Sequence, residues 1–255
     1  LIFINPQPIW NELKKHYPVE YYSLKGEVPK KGFGRWLSDI IYRAYFGKGQ
    51  NFFLKLLLFP ARAYIRGTKI VKGGKILDVG CGSGSFLLKM KPFGMDCFGV
   101  EPGDFDRDFA KGNGLNIFHG TVEEAKFPDD FFDVITVYHV FEHVPNPTET
   151  LAELKRILKP DGVLIIDIPQ SNCFGLKIFK ENWLGLDVPR HLYTFSERVM
   201  KIYAEKTGLR VRSVKHLTNS VQLLVSWLYF VNSFRKRKRF LAEYNANIIA
   251  WILLE

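Results

Sequence analysis

Between residues 75 and 168 of this 255-residue chain, β-rich runs at 75–79, 96–100, 116–118, 133–138 and 163–168 are separated, in most gaps, by stretches of helical period. Strands that follow one another through helices cannot pair as hairpins. The runs therefore predict an α/β fold, a mostly parallel, doubly wound sheet with helices on both faces. One intervening helix is well punctuated: Asn146 can cap it, Pro147 suits its first position and Glu149 completes a capping box. Leu151, Leu154 and Leu158 then share its apolar face, and Pro160-Asp161-Gly162 turns the chain into the last run.

The flanks read differently. Residues 1–70 are aromatic-rich and basic, with helical patterning over 36–42 and 51–66 that Pro60 interrupts, and form a helical lead-in to a domain spanning 71–217. Within that domain an irregular stretch over 170–195 precedes a helix over 196–206 and a strand over 209–214. In the remaining segment, 218–255, apolar runs at 221–234 and 246–254 bracket Arg235-Lys236-Arg237-Lys238-Arg239. Neither run reaches the ~18 apolar residues of a membrane-spanning helix. They are expected either to pack on the domain or to make peripheral membrane contact, with the basic residues at anionic headgroups.

A hydrophobic content of 47% supplies a substantial core and excludes a disordered chain. The net charge of +10 favours an anionic partner, whether nucleic acid, a membrane surface or a phosphorylated substrate. Cys81, Cys97 and Cys173 have neither disulfide-framework nor metal-ligand spacing and are expected as reduced thiols of a cytoplasmic protein. Leu1-Ile2-Phe3-Ile4 lacks a basic leader and Asn5-Pro6 ends its apolar run, so no signal peptide is expected. The chain does not begin with Met and is expected to be part of a longer one.

The sharpest local signal is Ile76-Leu77-Asp78-Val79-Gly80-Cys81-Gly82-Ser83-Gly84-Ser85-Phe86. A buried strand runs into glycines that permit a tight turn and close approach of a nucleotide-type ligand. A dinucleotide fingerprint would need its third glycine at 85, which is Ser85; the third glycine here is Gly84. The next strand ends at Glu101, whose carboxylate can accept hydrogen bonds from both hydroxyls of a ribose.

With Asp78 before it, this G-x-G-x-G spacing resembles the first motif of class I S-adenosylmethionine-dependent methyltransferases. The resemblance continues through Gly120-Thr121-Val122-Glu123-Glu124-Ala125, Phe131-Phe132-Asp133-Val134-Ile135, His139-Val140-Phe141-Glu142-His143-Val144 and Leu158-Lys159-Pro160-Asp161-Gly162. The order is that of the group containing the ubiquinone-biosynthesis O-methyltransferases. It implies a Rossmann-like fold with S-adenosyl-L-methionine as cofactor. By resemblance, Gly80, Gly82 and Gly84, with Cys81, line the methionine and ribose parts and Asp78 lies near the amino group. Glu101, followed by Pro102, holds the ribose; adenine lies near Val122 and Glu123; Tyr138 and His139 border the sulfonium. Relatives often carry an acidic residue where Thr121 stands, which leaves the adenine contact to the backbone or Glu123. They also close the sheet with a further strand that is not recognisable before Glu255, so the sequence is expected to stop short of it.

A hydroxyl nucleophile must lose its proton, and imidazole accepts one near neutral pH, so His139, His143 and His191 are the candidate bases. His191 lies in Pro189-Arg190-His191-Leu192, similar to substrate-side segments of relatives; the alternative is a histidine that pins the loop. Glu142-His143 can equally orient its loop. Some ubiquinone-pathway relatives use a metal near this motif, but His139 replaces an acidic residue they carry and no other clustered ligand is evident, so no metal is expected.

Tyr138-His139-Val140-Phe141 stands where adenine- or amide-directed enzymes show Asn/Asp-Pro-Pro-aromatic, and a cytosine-directed Pro-Cys is absent, so DNA is an unlikely partner. No RNA-binding module is recognisable. The expected activity is O-methylation of a small-molecule, glycan or lipid-linked acceptor, because Tyr17-Pro18 and Tyr21-Tyr22-Ser23-Leu24 resemble the start of polysaccharide-associated methyltransferases. The same aromatics can equally pack the lead-in on the core. The rivals are a non-catalytic binding or assembly protein on the same fold, an RNA or small-molecule N-methyltransferase and, opposed by Ser85, an NAD-dependent oxidoreductase.

Overall fold

The strands are β1 (Ile2–Phe3), β2 (Lys75–Val79), β3 (Asp96–Glu101), β4 (Asn116–His119), β5 (Phe132–Tyr138), β6 (Leu158–Asp167) and β7 (Tyr193–Thr194). They belong to a computed structural model that describes residues 1–16, 33–47, 57–58, 71–216 and 220–234. Five of them form one sheet in the order β4-β3-β2-β5-β6. The pairs β2/β3, β2/β5 and β3/β4 are parallel, with Ile76 opposite both Cys97 and Val134. The central strand β2 reads Lys-Ile-Leu-Asp-Val and is buried beyond its first residue, as a parallel strand covered on both faces must be.

The described residues divide into two units that interleave along the sequence, one drawn from 23–138 and 153–166, the other from 1–22, 139–152 and 167–255. In the first unit, Ile76 and Val134 of the sheet pack with Leu87 and Met90 of the helix Ser85–Met90 and with Ile41 and Tyr42 of the helix Phe33–Phe46. Phe98, Phe127, Phe131 and Phe132 interlock with ring centroids 4.9–6.4 Å apart. Asp133 ties three strands together: Oδ2 accepts from the Lys75 amide at 2.8 Å, and Lys159 Nζ lies 2.9 Å from both carboxylate oxygens. Burial works to raise this carboxyl, but the Lys159 and Lys75 contacts outweigh it and hold it below the ordinary range.

A depressed carboxyl stabilises the fold above its unfolded-state pKa, and that contribution disappears as the pH falls through the folded-state value. Asp133→Asn should therefore cost about 1–2 kcal/mol at neutral pH in denaturant titrations, a modest figure because water screens the part-exposed Lys159. The gap between variant and parent should close on acidification.

In the second unit, β1 pairs antiparallel with β7, Ile2 opposite Thr194. Phe141 packs on Phe195 at 5.2 Å between centroids, with Leu192 buried in the same unit. The helix Glu197–Lys206 starts one residue after the expected Ser196, which caps it by accepting from the Val199 amide at 3.3 Å. Ser196→Ala should lower stability by about 1 kcal/mol, read as a shift of the denaturation midpoint.

Several expectations need correction. Residues 209–214 form no strand, and Val211 and Val214 are exposed: their alternating pattern finds no partner strand among the described residues. The fifth run is longer than expected, beginning at Leu158 directly after the helix Pro147–Ile157, so Pro160-Asp161-Gly162 lies within β6 and not in a turn. Proline is tolerated there because β6 is an edge of the five-stranded order. Asn146 meets Glu149 side chain to side chain, Nδ2 donating to Oε2 at 3.2 Å. The stretch 170–195 contains the helix Phe174–Phe179 and two 3-10 turns. Most of the 51–66 pattern, Tyr17-Pro18, Tyr21 to Leu24, the basic run 235–239 and the apolar run 246–254 lie outside the described residues.

Candidate functional site

The residues singled out in sequence fall into two groups, a glycine cradle in the first unit and a histidine cluster in the second. In the cradle, β2 ends at Val79 and the chain turns through Gly80, Gly82 and Gly84 at φ of +69°, +56° and +86°, a region where side chains are strained. Gly80 and Cys81 donate backbone hydrogen bonds to Val100 O at 2.8 and 3.1 Å, tying the turn to β3. A Cβ at Gly84 would also lie 2.5 Å from Leu115 Cδ1, so this glycine serves packing as well as the turn.

Glu101, at the end of β3, is buried: Oε2 accepts from the Gly82 amide and Oε1 from the Gly103 amide, both at 2.8 Å. Burial pushes its carboxyl above the ordinary value, against the pull of those two N–H groups. Asp78 is buried beside Thr136, whose Oγ1 lies 2.7 Å from Asp78 Oδ1 and 3.2 Å from Leu77 O. Sequence reading had not singled out Thr136, because threonine inside a strand carries no motif of its own. The Cys81 side chain turns into the core, where burial raises its thiol well above the usual value. Only its peptide remains at the turn.

Thr121 is occupied locally. Its amide donates to Glu124 Oε2 at 2.8 Å and its Oγ1 accepts from the Glu124 amide at 3.4 Å, a reciprocal capping box. This use of Thr121 was legible in the Thr-x-x-Glu spacing. Val122 is buried, Tyr138 half-buried, and Pro102 and Glu123 exposed.

The second group begins at His139, directly after β5, with φ +54° and its amide donating to Asp167 O at 2.9 Å. Glu142 is fully buried and neither of its carboxylate oxygens accepts a hydrogen bond. Oε1 lies 3.5 Å from His139 Nδ1 and 3.8 Å from His191 Nε2. The Glu142 carbonyl accepts from the amides of Leu192 and Tyr193 at 2.9 and 3.2 Å, which brings the distant Pro189–Tyr193 stretch to it.

Backbone carbonyls fix two tautomers. His191 Nδ1 is 2.9 Å from Gly185 O and His143 Nδ1 is 2.8 Å from Arg190 O. A carbonyl can only accept, so each Nδ1 carries a proton, and in the neutral imidazole the lone pair falls on Nε2. The two rings meet edge to face at 4.7 Å. Asp187 accepts from Arg190 Nη2 at 2.7 Å and places Oδ2 3.7 Å from His191 Nε2. Burial lowers the His143 pKa despite Glu142 beside it. Burial alone would raise Glu142, but the His139 contact and the charges of His143, His191 and His139 hold it below the ordinary range.

Ligand-type atoms of Glu142, His143 and His191 lie within 4.8 Å of one another, a spacing that a divalent cation can bridge. The sequence offered no third ligand near Glu142-His143; the fold supplies one in His191. His139, by contrast, is 60% exposed at its side chain and stands at the margin of the cluster.

Comparison with known proteins decides the family. A model described as methyltransferase domain matches residues 52–214, well over half of the chain. The chain belongs to the methyltransferase domain family. It is 37% identical over 160 residues to a ubiquinone biosynthesis O-methyltransferase of Haemophilus ducreyi, covering 56% of this chain and 68% of that one. A ubiquinone biosynthesis O-methyltransferase of Maricaulis maris is 30% identical over 155 residues, 57% of this chain and 61% of the relative. The crystal structure of the YcgJ protein from Bacillus subtilis superposes with a TM-score of 0.51 at 25% identity, over 60% of this chain and 69% of that one. The Rossmann-like α/β expectation is thus met, and the chain is an S-adenosylmethionine-dependent methyltransferase. The cradle fits that cofactor: each Glu101 oxygen accepts one backbone hydrogen bond, and a carboxylate oxygen has a second lone pair with which to meet a ribose hydroxyl.

Proposed function

We propose that this methyltransferase O-methylates a small or lipid-linked hydroxyl acceptor, with a glycan or polysaccharide precursor as the favoured class. S-adenosylmethionine, when bound, supplies a methyl group on a positively charged sulfur, so the protein has chiefly to orient the nucleophile and exclude water. In this reading Gly80, Gly82 and Gly84 cradle the cofactor and Glu101 holds its ribose. Asp78, kept in place by Thr136, lies toward the amino group, and Val122 and Glu123 lie toward the adenine. Tyr138 and His139 border the sulfonium.

The observation that carries the acceptor chemistry is the buried Glu142 carboxylate 3.8 Å from Nε2 of His191, whose Nδ1 is taken by Gly185 O. Nε2 takes the proton of the acceptor hydroxyl, and the Glu142 charge stabilises the imidazolium that results. His143, its Nδ1 held by Arg190 O, supports the loop and is the second candidate base. Alkylation by a sulfonium needs no Lewis acid, so the cluster is assigned to proton transfer and not to a metal. The reading includes cytoplasmic work at the inner face of a membrane. No described helix is long and apolar enough to cross one.

The test is formation of S-adenosylhomocysteine with sugar, phenol, amine and lipid-linked hydroxyl acceptors, followed by mass spectrometry of the product. O-methyl product is expected. Transfer to amines alone would overturn the O-methylation reading, and tight cofactor binding without transfer to any acceptor would favour a non-catalytic binding protein. Loss of turnover on adding EDTA would return the cluster to a cation.

A further inference from the structure

We propose that the helix Ser220–Phe234 docks this protein on an anionic lipid surface through an exposed apolar face. Its sequence, Ser-Val-Gln-Leu-Leu-Val-Ser-Trp-Leu-Tyr-Phe-Val-Asn-Ser-Phe, contains no charged residue. Leu223, Leu224, Trp227 and Leu228 fall at spacings that share one helix face, and all are exposed, Trp227 by 54%. The other side is anchored. Val225 and Ser226 are buried, Ser226 Oγ accepts from the Leu184 amide at 2.9 Å and donates to Gln222 O at 2.7 Å, and Phe230 meets Phe179 at 6.1 Å between centroids. The helix Phe174–Phe179, which contributes Phe179, itself leaves Phe174 75% exposed and Ile178 exposed.

An uncharged helix that keeps one face buried and offers leucines and a tryptophan on the other is unusual for a surface facing water. What selects lipid as the occupant is the charge that follows. Arg235-Lys236-Arg237-Lys238-Arg239 continues directly from Phe234 in the sequence, so five cationic residues follow an uncharged, apolar helix. Fifteen residues span about 22 Å, short of the roughly 30 Å hydrocarbon core, and so suit a helix lying in the interface. Trp227 has the amphipathic ring that favours headgroup depth. The inference does not depend on the identity of the methyl acceptor, because docking is read without methyl transfer.

The experiment is co-sedimentation of the full chain with vesicles of phosphatidylcholine alone or mixed with phosphatidylglycerol, at low and high salt. The expected result is pelleting with the mixed vesicles that weakens with salt. Trp227→Ser with Leu228→Ser should reduce partitioning about tenfold or more. Lys236→Gln and Lys238→Gln should each reduce it about fivefold. Unchanged S-adenosylhomocysteine affinity in the variants confirms that they are folded. Failure to pellet with mixed vesicles, equal pelleting with phosphatidylcholine alone, or full pelleting of the Trp227/Leu228 variant would overturn the proposal. So would a lipid-independent dimer in analytical ultracentrifugation that the same variant dissociates, since a second copy would then be the occupant.

Discussion

His191→Ala should lower kcat by about 10²- to 10⁴-fold, the usual contribution of a positioned general base, while leaving the dissociation constant of S-adenosylhomocysteine unchanged. The split follows from where the residue stands. His191 makes its contacts with Gly185, Glu142, Asp187 and His143, none of which belongs to the glycine cradle. The competing role, pinning the loop through Nδ1 to Gly185 O, is separable from proton transfer. His191→Asn retains a side-chain N–H donor for that carbonyl but has no basic nitrogen at the Nε2 position. If His191 is the base, Asn and Ala should be similarly inactive; recovery of most of the turnover in the Asn variant would reduce the histidine to a pin. Glu142→Gln gives an independent reading. It preserves volume but removes the charge facing the imidazolium, so kcat should fall while cofactor affinity holds.

Glu101→Ala should weaken S-adenosylhomocysteine binding by about 1.5–3 kcal/mol, roughly 10- to 150-fold, measured by calorimetric titration. The variant loses a charged acceptor for two ribose hydroxyls and leaves the amides of Gly82 and Gly103 without their present partner. Affinity should also depend on pH in a definite direction. Burial raises the Glu101 carboxyl, and only the ionised form can accept at all its lone pairs. Binding should therefore weaken on acidification at a higher pH than an exposed glutamate would allow, and Glu101→Gln should flatten that dependence. Unaltered affinity in Glu101→Ala would remove the ribose assignment.

The two sites were legible to different degrees. The sheet and the cradle were readable because their signals are local: β-rich runs, glycines before a helix, and a carboxylate at the end of the next strand. Glu142 and His191 were visible as residues but not as neighbours. They meet because the Glu142 carbonyl takes the Leu192 and Tyr193 amides, and backbone hydrogen bonds between distant segments leave no mark in composition or period. The pairing of β1 with β7 was missed for the same reason, a two-residue strand being too short to show alternation. The error at 209–214 ran the other way: Leu209-Arg210-Val211-Arg212 has the pattern of a strand, but a pattern states only that a face could be buried.

Gly185 shows how narrowly the histidine cluster is open to mutational drift. A Cβ at that position would lie 2.4 Å from Cζ2 of Trp183, which is itself buried, and 2.7 Å from Gln222 Nε2. Any replacement must therefore displace the tryptophan or move the Gly185 backbone, and the carbonyl of that backbone keeps the proton on Nδ1 of His191. A lineage that replaces this glycine has to rebuild the packing around Trp183 or abandon the histidine's tautomer. Residue 185, which has no side chain to contribute, should thus be as intolerant of substitution in a saturation screen for activity as the histidine it serves.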